Sequence, residues 1–364
     1  LQQEINSELD VWNINTQFAI EPPSPSEIIK NLFQLSIQDK SHGGELAVEQ
    51  FGSGFQRQFV YTLIKMRAKY QQPATRSVTK DFQPDMTLLL FEEPEAFLHP
   101  QQQELLAREL RKLAQNGTFQ VVCSTHSALF VSRNSDQLTS IVRMRRNPLG
   151  VIEATQITNQ KYADIQATNI TIYQKIDDIL KKAPIDGLAT HADDLQPQME
   201  EIKYFMWLNP DRSSLFFARH VLLVEGYTEY VFINRLIADN LIKQADNGVY
   251  ILECSGKFKM HAYMNILNAL GINHSVLHDD DQINDDDRAR KQRDINQLIK
   301  DNQGPYTRYI HAVNRDLESF LGVSMAGINE ARKPQHLLYR YAQGDITPEH
   351  IKAYCDLVDK CLTF

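Results

Sequence analysis

Short apolar runs alternate with segments of helical spacing in the first part of the chain. A continuous apolar run at 87–91 is followed by helical spacing over about 101–115 and by a second apolar run at 119–123. Runs of this length and continuity are typical of parallel strands that are buried on both faces. Because strand, helix and strand follow one another, the pattern predicts a parallel α/β layer between about residues 80 and 145.

The same alternation resumes after about residue 216. It predicts strands at 221–225, 249–253 and 275–279, with helices at 228–239 and 258–270. The segment between the two parts is more polar and has helical spacing. We therefore expect an α/β protein with a first domain at 1–150, a helical connector at 151–215 and a second parallel-sheet domain at 216–364.

Composition places the chain among ordinary globular proteins and excludes several classes. Of its 364 residues, 42% are apolar and 23% are charged. The sequence contains neither an apolar run long enough to cross a membrane nor a basic-then-apolar signal segment at its start, so we expect a cytoplasmic protein with no membrane partner. The four cysteines form no C-x-x-C pair, which argues against a zinc site and a disulfide framework.

The formal net charge of −8 does not decide whether the protein binds nucleic acid. Phosphate binding depends on cationic side chains. However, much of the acid lies in clusters that a metal ion would neutralise, and basic groups remain nearby. These groups are Lys257, Lys259, Arg288, Arg290, Lys291, Arg293, Arg332 and Lys333. Each of them also has an ordinary explanation as part of a solvated surface.

A first candidate site follows the two apolar runs of the first domain. Glu92 and Glu93 end one predicted strand, and His126 follows the next. In nucleotide hydrolases a carboxylate at such a strand end holds Mg²⁺, a second orients the attacking water, and a polar group on the adjacent strand senses the γ-phosphate. Singly, the glutamates would suit a helix N-terminus and the histidine a structural role. Together they indicate a nucleotide site.

A second candidate site lies at the ends of two strands of the second domain. Glu225 ends the strand at 221–225 and Glu229 follows one helical turn later, while Asp279 and Asp281 end the strand at 275–279. The carboxyl edge of a parallel sheet is where such folds bind ligands. Ligand sets made only of oxygen suit Mg²⁺ or Mn²⁺. Asp280 could replace one of its neighbours as a ligand.

The first site resembles the nucleotide-binding head of ABC-type ATPases of the chromosome-maintenance (SMC) kind. Residues 91–100, FEEPEAFLHP, are similar to the Walker B and D-loop region, 124–127, STHS, to the switch histidine, and 51–57, FGSGFQR, to the ABC signature. The resemblance implies that ATP is bound in part by Ser53, Gly54, Glu92, Glu93 and His126.

This resemblance has two departures. Glu92 stands where the family usually has aspartate, and the phosphate-cradling G-x-x-x-x-G-K-[ST] loop does not occur in these residues. In the family that loop lies near the start of the head, before a coiled-coil arm. We therefore expect that the chain represents the C-terminal part of a head and does not hydrolyse ATP alone.

The second site resembles the Toprim domain of topoisomerases, primases and certain nucleases. An ABC-type head followed by a Toprim domain is similar to the OLD (overcoming lysogenization defect) nucleases, which include the nuclease subunit of the Gabija phage-defence system. The resemblance implies a two-metal centre in which Lys333 assists at the transition state. Its implied ligands to two Mg²⁺ or Mn²⁺ ions are Glu225, Glu229, Asp279, Asp281 and Glu318.

The resemblance implies a metal-dependent DNA endonuclease that is controlled by its ATPase head and serves in anti-phage defence. The implied partners are DNA, at least one further copy of the chain joined through the heads, and a defence-system protein. One alternative is a nucleotide-regulated scaffold that binds DNA without cutting it. Another is a topoisomerase or primase, but Tyr227, Tyr306 and Tyr309 are expected to be packing residues rather than nucleophiles.

Overall fold

The computed structural model describes most of the chain from residue 86 onward and a smaller part before it. The described residues are 37–38, 45–46, 50–70, 86–115, 117, 119–131, 135–147, 149–181, 196, 199, 202–203, 206, 212–245, 248–281 and 287–363. They divide into two compact units, one within 1–85 and 96–98, the other within 86–95 and 99–364. Each unit is described by itself.

The described residues of the first unit form a short antiparallel pair and a long helix. Its elements are β1 (Ile37–Gln38), β2 (Glu45–Leu46) and α1 (Ser53–Tyr70). Gly54, in the first turn of α1, lies against the backbone of Phe97. A Cβ atom added at Gly54 would lie 2.9 Å from the Phe97 carbonyl oxygen, so a larger residue would force this contact apart.

The second unit contains a parallel pair, a hairpin and a four-stranded sheet. Its strands are β3 (Thr87–Glu92), β4 (Phe119–Ser124), β5 (Val142–Arg146), β6 (Ile152–Gln156), β7 (His220–Val224), β8 (Val249–Glu253), β9 (Asn273–Asp279) and β10 (Thr307–Val313). Its helices are α2 (Pro100–Gln115), α3 (Asn159–Lys181), α4 (Tyr227–Ala238), α5 (Met260–Ala269), α6 (Asp287–Asp301), α7 (Leu317–Phe320), α8 (Lys333–Gln343) and α9 (Pro348–Leu362). None of the described helices is both long enough and apolar enough to cross a membrane.

The parallel pair β3–β4 is the layer predicted between residues 80 and 145. Glu92 lies opposite Ser124 in its register, which brings the two predicted strand ends side by side. The helix α2 connects the two strands, and its leucines at 106, 110 and 113 are buried. This spacing of three and four residues is the apolar stripe of an amphipathic helix.

The four-stranded sheet has the order β10-β9-β7-β8, and all its strands are parallel. All five residues of β7 are buried, as its continuous apolar run predicts. Val221 and Leu223 belong to one hydrophobic cluster, and Leu222 and Val224 to another, because successive side chains of a strand point to opposite faces. The prediction of an α/β fold with parallel sheets is confirmed.

The cluster on one face of this sheet draws on residues from the whole second unit. Leu138, Ile157 and Tyr162 pack in the same cluster as Val221 and Leu223. Arg143 of β5 adds polar contacts, since its guanidinium donates to the carbonyl oxygens of Phe216, Ala218 and Gly271 at 2.8–3.1 Å. The core therefore includes residues on both sides of the predicted domain boundaries at 150 and 215, which stay predictions.

Candidate active site

The carboxyl ends of β7 and β9 meet at one edge of the four-stranded sheet. Glu225 follows β7, and its Oε2 atom accepts a hydrogen bond from the backbone nitrogen of Asp279 at 3.1 Å. Burial raises the pKa of Glu225 to about 7; the charge of Lys257 opposes this effect, while Asp281 and Glu229 add to it. The two predicted acidic strand ends are therefore in direct contact.

Glu229 turns back toward the strand that precedes its helix. Its Oε2 atom accepts a hydrogen bond from the Gly226 backbone nitrogen at 2.9 Å, across the first turn of α4. The residue is only 8% exposed, so water hardly reaches the carboxylate. Burial raises its pKa, and the nearby charge of Glu318 raises it further.

Asp279 experiences the charges of all four other predicted ligands. Its pKa is raised to about 10, first by burial and then by the negative charges that surround it. These charges belong to Glu229, Glu225, Asp281 and Glu318. The fold therefore brings the five predicted carboxylates within electrostatic reach of one another, and this mutual repulsion is relieved by protons or by cations.

Asp280 differs from its two neighbours. Its Oδ1 atom accepts a hydrogen bond from the Arg315 backbone nitrogen at 2.9 Å, and its own backbone nitrogen donates to the Val313 carbonyl. The Asp280 side chain thus contacts the turn that follows β10. Asp281, with a left-handed φ of 55°, directs its carboxylate to Lys257 instead.

Glu318 and Lys333 come together although they are distant from the strand ends in sequence. Glu318 lies in the short helix α7, where Asp316 accepts a hydrogen bond from the Ser319 backbone nitrogen. The Lys333 Nζ atom at the start of α8 is 3.5 Å from Glu318 and 2.7 Å from Glu330. Burial acts to lower the pKa of Lys333, but the two glutamates outweigh it and raise the pKa.

Lys257 belongs to this edge, and sequence reasoning named it only as one basic group among several. The side chain is 2% exposed and follows β8. Its Nζ atom lies 2.6 Å from Asp281 Oδ2, 2.9 Å from the Asp279 carbonyl oxygen and 3.3 Å from Asn296 Oδ1. The available sequence signal was its position after a predicted strand of the same sheet.

The chemistry of the donor set fits a divalent cation. All five predicted ligands are carboxylates, as Mg²⁺ and Mn²⁺ prefer. In the part of the chain that the structure describes, no three acidic, histidine or cysteine side chains stand in an arrangement that would already hold an ion. One carboxylate oxygen each of Glu225, Glu229 and Asp281 is engaged with a backbone N–H group or with Lys257. An ion would compete with these contacts or bind the second oxygen of each carboxylate.

The nucleotide-site candidates of the second unit lie at the ends of β3 and β4. His126 Nε2 is 3.5 Å from Glu93 Oε1, and both side chains are exposed. The Glu93 backbone nitrogen donates to the Ser124 carbonyl, which places Glu93 directly after the last paired residue, Glu92. Glu92, Glu93 and His126 are therefore neighbours. Ser53 and Gly54 begin α1 in the other unit.

Sequence reasoning missed the role of Glu95 beside these candidates. Glu95 is 7% exposed, and its Oε1 atom accepts hydrogen bonds from Thr125 Oγ1 at 2.6 Å and from the His126 backbone nitrogen at 2.9 Å. It positions the loop that carries His126. The sequence feature that could have indicated this role is the position of Glu95 as the third glutamate of the 91–100 segment.

The expectation for Tyr227 is wrong. The residue is 61% exposed, so it is not a packing residue, and among the described residues its ring stacks on Tyr230, with ring centroids 5.9 Å apart. Tyr306 and Tyr309 are partly buried. Tyr309 stacks on His311 and lies under the Lys360 ammonium group, as expected of a packing residue.

Comparison with known families identifies two regions of the chain. The model described as overcoming lysogenization defect protein-like, TOPRIM domain, matches residues 216–281. An AAA ATPase domain model matches residues 1–131. The chain contains an AAA ATPase-like domain followed by a TOPRIM domain. Glu225, Glu229, Asp279 and Asp281 all lie within the TOPRIM match.

Curated relatives support the same resemblance at modest identity. An OLD nuclease of Thermus scotoductus is 26% identical over 70% of this chain and 43% of its own length. The Old nuclease of Escherichia phage P2 is 26% identical over 64% of this chain and 33% of its own length. Endonuclease GajA of Bacillus cereus is 24% identical over 74% of this chain and 36% of its own length. The predicted resemblance to OLD nucleases is confirmed, and the chain spans less than half the length of these relatives.

Proposed function

We propose that this chain forms the catalytic part of a metal-dependent DNA endonuclease. The observation that carries the proposal is the convergence of five carboxylates on one sheet edge, where burial and then the charges of the other four raise the pKa of Asp279 to about 10. So many acids in mutual repulsion are costly for a protein unless cations bind there. The names of the relatives, nuclease and endonuclease, support the same activity.

The proposed roles follow from where the side chains lie. Glu225, Glu229, Asp279, Asp281 and Glu318 would hold two Mg²⁺ or Mn²⁺ ions. Such ions supply activation of water and stabilisation of the departing oxygen. Lys333, which is paired with Glu318, would bind the scissile phosphate and stabilise its developing negative charge.

The ATPase-like domain would regulate the nuclease. The proposed ATP contacts are Ser53, Gly54, Glu92, Glu93 and His126, of which Glu93 and His126 lie 3.5 Å apart. From the resemblance to OLD nucleases we also propose a cytoplasmic homodimer or higher oligomer, an additional protein partner, and a role in anti-phage defence.

The test is conversion of supercoiled plasmid to nicked and linear forms in Mg²⁺ or Mn²⁺. We expect cleavage by the wild type and none by Asp279→Ala/Asp281→Ala. The matched control is Asp294→Ala/Asp301→Ala, which removes two exposed aspartates of α6 and should leave cleavage unchanged. A wild type that binds DNA but cuts neither plasmid nor single strands with either metal would overturn the nuclease in favour of a scaffold.

A further inference from the structure

Lys257 is a fully buried cation at the edge that carries the acids. It lies in the short 3-10 turn at Lys257–Lys259, directly after β8, which is the strand next to β7. All three partners of its Nζ atom are oxygen atoms of the protein, and two of them belong to Asp279 and Asp281. No other lysine among the described residues is as buried.

Burying a lysine is costly unless its charge is compensated. An ammonium group removed from water loses several kcal/mol of hydration, which only close oppositely charged and hydrogen-bonding groups return. Here the Asp281 carboxylate at 2.6 Å provides the compensation. The positive charge also acts beyond this pair, because it opposes the rise in the pKa of Glu225 that burial causes.

The contacts of Lys257 also join the end of β9 to α6. Its Nζ atom binds the Asp279 carbonyl oxygen and the side-chain oxygen of Asn296, and the Asn296 amide in turn donates to the Asp280 carbonyl oxygen at 3.0 Å. The lysine thus connects residues 279–281 to α6 at the point where the carboxylates converge.

We propose that Lys257 is a built-in counter-cation, which neutralises part of the carboxylate edge before a divalent ion binds and thereby weakens the binding of that ion. The proposal rests on the proposed function, since it assumes that the edge binds divalent ions. An ion coordinated by Asp281 competes with Lys257 for the negative charge of that carboxylate, and it lies near a positive charge that cannot move to water. Both effects oppose binding.

The counter-cation role and a purely positioning role predict opposite results. If Lys257 only oriented Asp281, its removal would loosen a ligand and weaken metal binding. If Lys257 competes with the ion, removal of its charge strengthens metal binding and destabilises the protein that has no metal, because the carboxylates then repel one another without compensation.

The test is Mn²⁺ binding without DNA, measured by calorimetry, with thermal unfolding in EDTA and in Mn²⁺. We expect Lys257→Met to bind Mn²⁺ at least about tenfold more tightly than the wild type, because one opposing charge is gone. We also expect Lys257→Met to unfold at a lower temperature than the wild type in EDTA. Addition of Mn²⁺ should raise its unfolding temperature by more than that of the wild type. Lys259→Met, on the same turn, is the control and should match the wild type.

Lys257→Gln is the second variant, since its amide retains a donor for the Asp279 carbonyl oxygen and loses only the charge. Equal or weaker Mn²⁺ binding by folded variants, with the wild type still binding, would overturn this inference alone. Failure of both variants to fold even in millimolar Mn²⁺ would also overturn it, because the lysine would then be structural. Absence of Mn²⁺ binding by the wild type would overturn the proposed metal centre as well.

Discussion

The backbone nitrogen of Gly226 donates a hydrogen bond to Glu229 Oε2 at 2.9 Å, and this contact explains the glycine. The φ angle of Gly226 is −136°, which any residue adopts. A Cβ atom at this position would lie 3.1 Å from the same carboxylate oxygen. A larger residue at this position would therefore press on the Glu229 carboxylate that folds back onto the strand end.

Gly226→Ala should displace the Glu229 carboxylate by a few tenths of an ångström while the fold persists. We expect plasmid cleavage to fall about tenfold, because reacting groups are sensitive to small misplacements, with a loss of only a few degrees in the thermal midpoint. Asn234→Ala is the control, since Asn234 is an exposed residue of the same helix α4. Unchanged cleavage by Gly226→Ala would contradict this role of the glycine.

Lys333→Met should abolish a charge that the proposed mechanism uses at the phosphate. We expect cleavage to fall by about a hundredfold or more, as when other charge-stabilising donors are removed, with little change in stability. Glu330→Gln is the control, since it removes the charge of the other partner of Lys333. The Glu330 side chain is 84% exposed, so this change should alter cleavage by less than about twofold. Initial rates of plasmid nicking at saturating Mn²⁺ distinguish the two variants. Similar rates for both would exclude the lysine from catalysis.

Arg143→Lys should destabilise the second unit. The guanidinium of Arg143 donates hydrogen bonds to three backbone carbonyl groups at once. A lysine ammonium group cannot reproduce this planar arrangement of donors. We expect a loss of about 2–4 kcal/mol in the free energy of unfolding, because buried acceptors lose their donors. Urea unfolding measures the loss. The exposed Arg146, three positions along the same strand, offers Arg146→Lys as a control with a change below about 0.5 kcal/mol.

His274→Gln should change how stability depends on pH. His274 Nδ1 donates to the Ile272 carbonyl oxygen at 3.0 Å, and Nε2, which accepts in a neutral ring, lies 2.9 Å from Thr307 Oγ1. Burial lowers its pKa to about 4, and the charge of Arg308 acts in the same direction. His220, whose pKa is also lowered to about 4 by burial, is its titrating neighbour.

The direction in which stability changes with pH follows from the pKa values of His274 in the folded and unfolded protein. Below about pH 6.5 the unfolded chain binds a proton at this histidine, while the folded protein does not until about pH 4. Its contribution to stability is therefore complete above pH 6.5 and is lost between pH 6.5 and 4, by up to about 1.4 kcal/mol per pH unit. Urea unfolding from pH 7.5 to 4.5 should show the wild type losing its advantage over His274→Gln by this amount. A constant difference would contradict the neutral ring.

Periodicity along the chain was sufficient to find the strands that carry the candidate sites. The apolar runs at 87–91, 221–225 and 275–279 became β3, β7 and β9. Burial on both faces, which continuous apolar runs predict, holds for β7 and β9 but is wrong for β3, in which Leu88 and Leu90 are 49% and 70% exposed. Since the carboxyl ends of parallel strands share an edge, the acids that follow β7 and β9 could be placed together. In contrast, β10 was missed, because Thr307–Val313 mixes arginine and histidine with apolar residues.

Contacts between distant residues were decided only by the folded chain. Asp280 contacts the turn after β10, and Lys257 reaches Asp281 from β8, because the strand order is β10-β9-β7-β8. Hydrophobic periodicity reports which face of an element is buried, which is a local property. Strand order, the partner of each carboxylate and the shift of its pKa depend on which distant groups share the same buried space, and no local pattern contains that information.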